Sequence, residues 1–218
     1  MPRLAEIARR HGVLLIADEV MTGWGRTGKW FAMDHWGVQP DILTTAKGIT
    51  GAYVPLGLTA TTQKIAEYFD DHYFPLGHTY EAHPLTLGPA VAAIQEYRRL
   101  NLIERSAHFG VLVGQKLKKL QERHPSIGDV RGLGLFWAID LVRDREKRTP
   151  FNTASDKLSG KPTVAEQVTG DLLKRGIFMV GWISHLIVAP PLIISEAELD
   201  RGLAALDESL KIADAALV

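Results

Sequence analysis

The sequence predicts an α/β protein: part of a sheet with parallel strands, followed by a separate, small α+β domain. Three observations carry this. A helical pattern in the first dozen residues runs directly into the continuous apolar stretch VLLIAD, which closes on Asp18. A second strand-like stretch, DILTTA, ends just before Lys47 and the two glycines that follow it, Gly48 and Gly51. After a long helical segment, strands and helices then mix to the end of the chain, the order expected of an α+β domain.

Taken in order, the first helix places Leu4, Ile7 and Ala8 on one face, with Arg9 and Arg10 near its end and Gly12 as the stop. VLLIAD lacks polar alternation, so it reads as a parallel strand buried on both faces. DILTTA is a weaker second strand and PLGLTAT a third. Three short strands do not make a doubly covered sheet, so the sequence reads as one that starts in the middle of a domain.

Apolar residues at helical spacing from Pro89 to Leu120, broken near Asn101, give one helix ending near Leu100 and another from about Leu102 to Gln121. DVRGLGLFWAIDLV is a strand pair with a glycine-rich start. Arg143 to Lys161 is polar and reads as a loop, and Val164 to Lys174 as a helix. IFMVGW and HLIVAPPL are strands. Glu196 to Ile212 is a final amphipathic helix, opened by Ser195 with Glu198 three residues on, a capping box. The division expected is 1–100, ending with the linking helix, and 101–218.

Composition limits the function. The chain has 218 residues, 46% hydrophobic, enough apolar material for a sizeable core. Its 25 basic and 25 acidic residues cancel, which argues against nucleic acid or an anionic membrane as partner. With 0 cysteines, disulfide and thiolate chemistry are excluded and a cytoplasmic setting is expected. Neither a membrane span nor a signal peptide is expected. His78 and His83 lack metal-ligand spacing, so no metal role is assigned to them.

Asp18 and Lys47 would stand at the C-terminal ends of neighbouring strands, the edge where open α/β sheets bind ligands. A carboxylate and an amine there form either a plain ion pair or the two groups that pyridoxal phosphate chemistry requires. In the second case the amine bonds the cofactor's aldehyde, and the acid keeps the ring nitrogen protonated. Val20, two residues beyond the acid, would point the same way as Asp18 and could lie on the ring face.

The wording around these residues is more specific. LLIADEVMTGWGRTGKWFAMDHWGVQPDILTTAKG, Leu14 to Gly48, resembles the signature of the class III, or omega-type, aminotransferases. It matches in the DEV, the G-x-G-R-T-G, the P-D and the AKG, in order. LGHTYEAHPLTLGPAVAAI and VAPPLIISEAELDRGLAALDESL are similar to later segments of that family. The resemblance implies fold type I of the pyridoxal phosphate-dependent transferases, with part of the large-domain sheet and a small C-terminal domain in this chain. It implies an aminotransferase that moves an amino group from an amine or amino acid donor to a keto acid or aldehyde acceptor. The alternatives are an aminomutase or decarboxylase of the same fold, or an inactive truncated remnant.

Position by position, Lys47 matches the lysine that holds pyridoxal 5'-phosphate as an imine and then moves the substrate proton. Asp18 matches the partner of the ring nitrogen, Val20 the residue packed on the ring, and Thr79 the hydroxyl that reaches the phosphate in the neighbouring subunit of a homodimer. Arg26 is read as structural. Met21 stands where many members have a glutamine. No arginine lies between Gly181 and Leu192, where many relatives grip a substrate carboxylate; Trp182, Ser184 and His185 occupy that stretch. Pro89 falls inside a family helix, which should start later or kink there. Family members are about twice as long, and the Gly-Ser phosphate loop and ring-stacking aromatic of their N-terminal half are not found here. The sequence therefore reads as a C-terminal half, expected to be inactive by itself.

Overall fold

The structure, a computed structural model, describes residues 1–217. They form two compact units, Met1–Arg105 and the residues from Ser106 onward. The first opens with α1 (Pro2–Arg10), which starts on a proline and ends with His11 before the left-handed Gly12. Three strands follow: β1 (Ile16–Asp18), β2 (Ile42–Thr45) and β3 (Leu58–Thr61), in the order β1-β2-β3. β1 and β2 are parallel, with Asp18 opposite Thr44, and β3 runs antiparallel to β2.

β1 is shorter than VLLIAD, and it is not buried on both faces. Ile16 is 59% exposed, and Val13 and Leu14 are exposed as well. The physical reason is pairing: among the described residues β1 bonds only β2, so a run suited to an inner strand presents apolar side chains to solvent.

α2 (Gln63–Tyr68) is short. α3 (Pro84–Arg99) starts five residues before Pro89 and runs through it. Its N-terminus explains the early start: Pro84 stands at the first position, and the ring Nδ1 of the N-cap, His83, accepts from the Leu85 N–H at 3.2 Å. α4 (Leu102–Arg123) follows Asn101, whose positive φ turns the chain between the helices.

The second unit is built on an antiparallel sheet of β4 (Ile127–Leu133), β5 (Phe136–Asp144), β6 (Thr149–Pro150), β7 (Val180–Trp182) and β8 (His185–Val188). The order is β4-β5-β8-β7, with β6 added to β5. The helices are α5 (Ala154–Leu158), α6 (Val164–Lys174) and α7 (Glu196–Ala215). α4 lies close on the β4–β5 turn because Gly110 and Gly114, one helical turn apart, carry no side chain. A Cβ on Gly110 would meet Gly134 Cα at 2.5 Å, and one on Gly114 the Trp137 ring at 2.4 Å. Val113, Leu117, Ile139, Leu141, Leu172 and Leu206 are buried in this core.

Arg143 to Lys161 is not a plain loop. β5 extends through it to Asp144, β6 pairs back, and Thr153 with Asp156 forms a capping box that starts α5. β8 stops before Pro190 and Pro191, which have no N–H to donate to a ladder. The capping boxes at Thr163 and Ser195 start α6 and α7. α7 is tied to the end of α4 by His124, whose ring nitrogens lie 2.6 Å from Asp214 and 2.7 Å from Asp207.

Candidate active site

The parallel register of β1 and β2 sets Asp18 beside Thr44, at the strand ends from which Lys47 follows three residues later. Both side chains are exposed. Among the described residues neither takes part in an ion pair, so the plain Asp18–Lys47 pair is not formed. The Val20 N–H donates to Asp18 Oδ1 at 3.0 Å, which orients the carboxylate, and Val20 itself is half-buried.

Beyond the strand end, the backbone stays fastened to β2. The Glu19 N–H donates to Thr44 O at 2.8 Å, and the Thr45 hydroxyl donates to Glu19 O at 3.2 Å. The Glu19 side chain is 2% exposed and turns the opposite way from Asp18, into the glycine-rich segment. Its carboxylate accepts from the backbone N–H groups of Met33 at 2.8 Å and Ala32 at 3.0 Å, and from the Thr22 hydroxyl. A buried carboxylate with three donors is a fastening rather than a spare charge. It ties residues 19–33 into a closed loop behind the strand ends.

Lys47 opens a 3₁₀ turn, Lys47–Thr50, closed by the left-handed Gly51. Its own φ is +48°, a region that side-chain-bearing residues adopt at a cost of order 1 kcal/mol and usually where the surroundings hold them there. The surroundings do so here. Ile49 and Thr50 are buried, and the Thr50 hydroxyl donates to Val54 O at 2.7 Å. The Tyr97 hydroxyl, from α3, donates to Gly48 O at 3.0 Å. Beneath the turn, Trp24 stands edge-on to Trp30 and Phe31 and 6.3 Å from the Tyr97 ring, and its Nε1 donates to the Thr45 hydroxyl at 2.8 Å. Burial pushes the Tyr97 phenol up from its usual range, against the opposing effect of Arg26, so it remains a neutral donor. Burial also lowers the half-buried Arg26 guanidinium, and Tyr97 opposes that.

The structure thus brings Asp18, Val20 and the Lys47 turn to one sheet edge. Thr79 is exposed in the turn His78–Glu81, and no hydrogen bond joins it to the other three. Glu19, Trp24 and Tyr97 escaped sequence reasoning. For Glu19 the available signal was a carboxylate wedged between an apolar run and a glycine-rich segment. For Tyr97 there was none.

The sequence model of the family Aminotransferase class-III matches residues 1–210. The chain belongs to the class III aminotransferases. It is 37% identical over 222 aligned residues to a taurine–pyruvate aminotransferase of Bilophila wadsworthia, covering 94% of this chain and 46% of that one. Among solved structures, it superposes with a TM-score of 0.91 on taurine:2-oxoglutarate aminotransferase from Bifidobacterium kashiwanohense, at 32% identity, covering 100% of this chain and 48% of that one. With an (S)-enantioselective omega-transaminase from Thermomicrobium roseum the TM-score is 0.88 and the identity 37%, over 97% of this chain and 46% of the other. The chain spans about half the length of the curated relatives it matches. Its fold is that of these pyridoxal phosphate-dependent transaminases.

Within this class III chain, Met21 is exposed, next to Val20 at the strand end. Ser184 and His185, from the segment without an arginine, have structural partners. The Ser184 hydroxyl donates to Asn152 O and accepts from the Asn152 N–H, both at 3.0 Å, and His185 Nδ1 lies 2.7 Å from Asp140. Trp182 is exposed beneath Lys157, whose Nζ is 5.5 Å from its ring centre.

Proposed function

We propose that this chain supplies the lysine-bearing sheet edge of an aminotransferase that uses pyridoxal phosphate to move an amino group from an amine donor to a keto acid or aldehyde. The observation that carries the reading is the pairing of β1 with β2, which sets Asp18 and the Lys47 turn on one edge, both side chains exposed and outside any ion pair among the described residues. The donor set fits the cofactor: one amine for its aldehyde and one carboxylate, already oriented by the Val20 N–H, for its ring nitrogen. Bound there, the cofactor supplies an electron sink for the charge left on the substrate's Cα.

Lys47 Nζ would hold the cofactor through its aldehyde and would be the base that takes and returns the substrate's Cα proton. Asp18 would keep the ring nitrogen protonated, and Val20 would supply the apolar contact to the ring. Thr79 is assigned to the phosphate of a second subunit, which requires a homodimer. The donor class we favour is an amine without an α-carboxylate. Two features support this: no arginine lies between Gly181 and Leu192, and a relative is named for taurine, an amine whose acid group is a sulfonate. We assign the protein to the cytoplasm on its lack of cysteine.

The test is amine-to-carbonyl conversion, in a chain of the relatives' full length that carries this segment, by the cofactor-loaded protein and by its Asp18→Asn variant, which keeps shape but removes the charge. A fall of at least about a hundredfold, roughly 2.7 kcal/mol of barrier, is expected with the fold retained. Near-normal conversion by the variant would remove Asp18 from this role.

A further inference from the structure

Around Lys47 the backbone is held from outside the turn, and the holding group is a side chain. Gly48 O accepts twice, from the Gly51 N–H at 3.1 Å within the turn and from the Tyr97 hydroxyl at 3.0 Å across from α3. Tyr97 is 8% exposed, with its ring 6.3 Å from Trp24 and 6.1 Å from Trp30, so the hydroxyl is delivered by a packed, immobile body. Gly48 is the residue that permits this approach. A Cβ there would meet Trp24 Cβ at 2.6 Å and the Tyr97 hydroxyl at 3.1 Å. The same Trp24 bonds Thr45, which bonds Glu19 O next to Asp18.

We infer that Tyr97 is a positioning residue for Lys47: by bonding the Gly48 carbonyl it keeps the turn in the left-handed form that aims the Lys47 amine at the Asp18 edge. The inference rests on the reading of Lys47 given above. A residue at φ +48° relaxes toward negative φ unless its neighbouring peptides are fixed, and a 3₁₀ turn of four residues has few bonds of its own. An inward-facing hydroxyl supplies one more, and the aromatic packing makes it directional.

Tyr97→Phe removes the hydroxyl and keeps the ring. The chain is compared with this variant by amide hydrogen exchange, by thermal melting and by competitive acetylation of Lys47 against Lys29 and Lys64, none of which needs the cofactor. Exchange at the Gly51 N–H should rise about tenfold, the loss of one hydrogen bond, and the relative reactivity of Lys47 should shift at least about threefold, while α3 and β2 amides keep their protection. Unchanged Gly51 exchange with unchanged Lys47 reactivity would overturn the inference, as would a rise shared equally by α3 and β2, which marks general destabilisation. Should the variant not fold, the wild-type chain decides: Gly51 protected as well as the α3 interior supports the inference, and fast exchange there overturns it. A cofactor found on another lysine would instead defeat the reading of Lys47 and leave these exchange results standing.

Discussion

The Tyr97 hydroxyl on α3 bonds the Gly48 carbonyl at 3.0 Å across a separation of 49 residues, next to the lysine assigned to the cofactor. Two distant pieces of the first unit therefore meet behind Lys47, and the meeting leaves no room for a side chain on Gly48.

Gly48→Ala follows from that crowding. The added methyl would stand 2.6 Å from Trp24 Cβ, an atom fixed to the backbone that cannot swing aside. A loss of about 1–3 kcal/mol is expected from chemical denaturation, as for overpacked cores, together with altered tryptophan fluorescence. A variant as stable as the wild type would show that the turn is looser than described.

Glu19→Gln tests the fastening behind the strand ends. The amide keeps one acceptor oxygen but turns an NH₂ toward N–H groups that need acceptors. The expected cost is about 1–3 kcal/mol, with faster amide exchange at Ala32 and Met33. Exchange unchanged at both amides would mean that the loop 19–33 does not depend on the carboxylate.

In the second unit, stability should fall in acid, and two carboxyl groups set the window. Hydrogen bonds from Lys157 first, and then from Thr163, hold Glu166 at about 2, against an ordinary 4.5. At Asp214, burial pushes the carboxyl up, but hydrogen bonds from Ser126 and His124 outweigh it and hold it below its ordinary value. Groups lowered on folding contribute stability above their unfolded pKa and lose it as pH falls, because the unfolded chain takes up the proton first. Melting temperature should therefore decline from about pH 4.5 toward about pH 2, and less steeply in Glu166→Gln. Parallel curves for the two proteins would contradict the assignment.

How much of this was legible in the sequence depended on the range of the interaction. Signals that act within one helical turn are legible: the Ser195 to Glu198 box starts α7, and the helix expected over Val164 to Lys174 is α6. The adjacent strand ends carrying Asp18 and Lys47 were also legible, because each is a short apolar run closing on a charge. Extents that depend on pairing were not. VLLIAD predicts a longer and more buried strand than Ile16–Asp18, since its pattern records the neighbours a strand is suited to rather than those it pairs with here. The segment 143–161 hid β6 and α5 because short elements stapled by side chains leave no apolar period. The left-handed φ of Lys47 and the reach of Tyr97 to Gly48 are tertiary facts. No local propensity encodes a bond across 49 residues.

Borohydride reduction in the presence of pyridoxal phosphate, followed by peptide mapping, decides whether Lys47 is the residue that bonds the cofactor. Reduction makes the bond permanent, so the label accumulates even where binding is weak. A pyridoxyl group is expected on Lys47, abolished in Lys47→Arg and absent from Lys29 and Lys64, the nearest lysines in sequence. Label on either of those, or label spread evenly over the surface lysines, would contradict this assignment of Lys47.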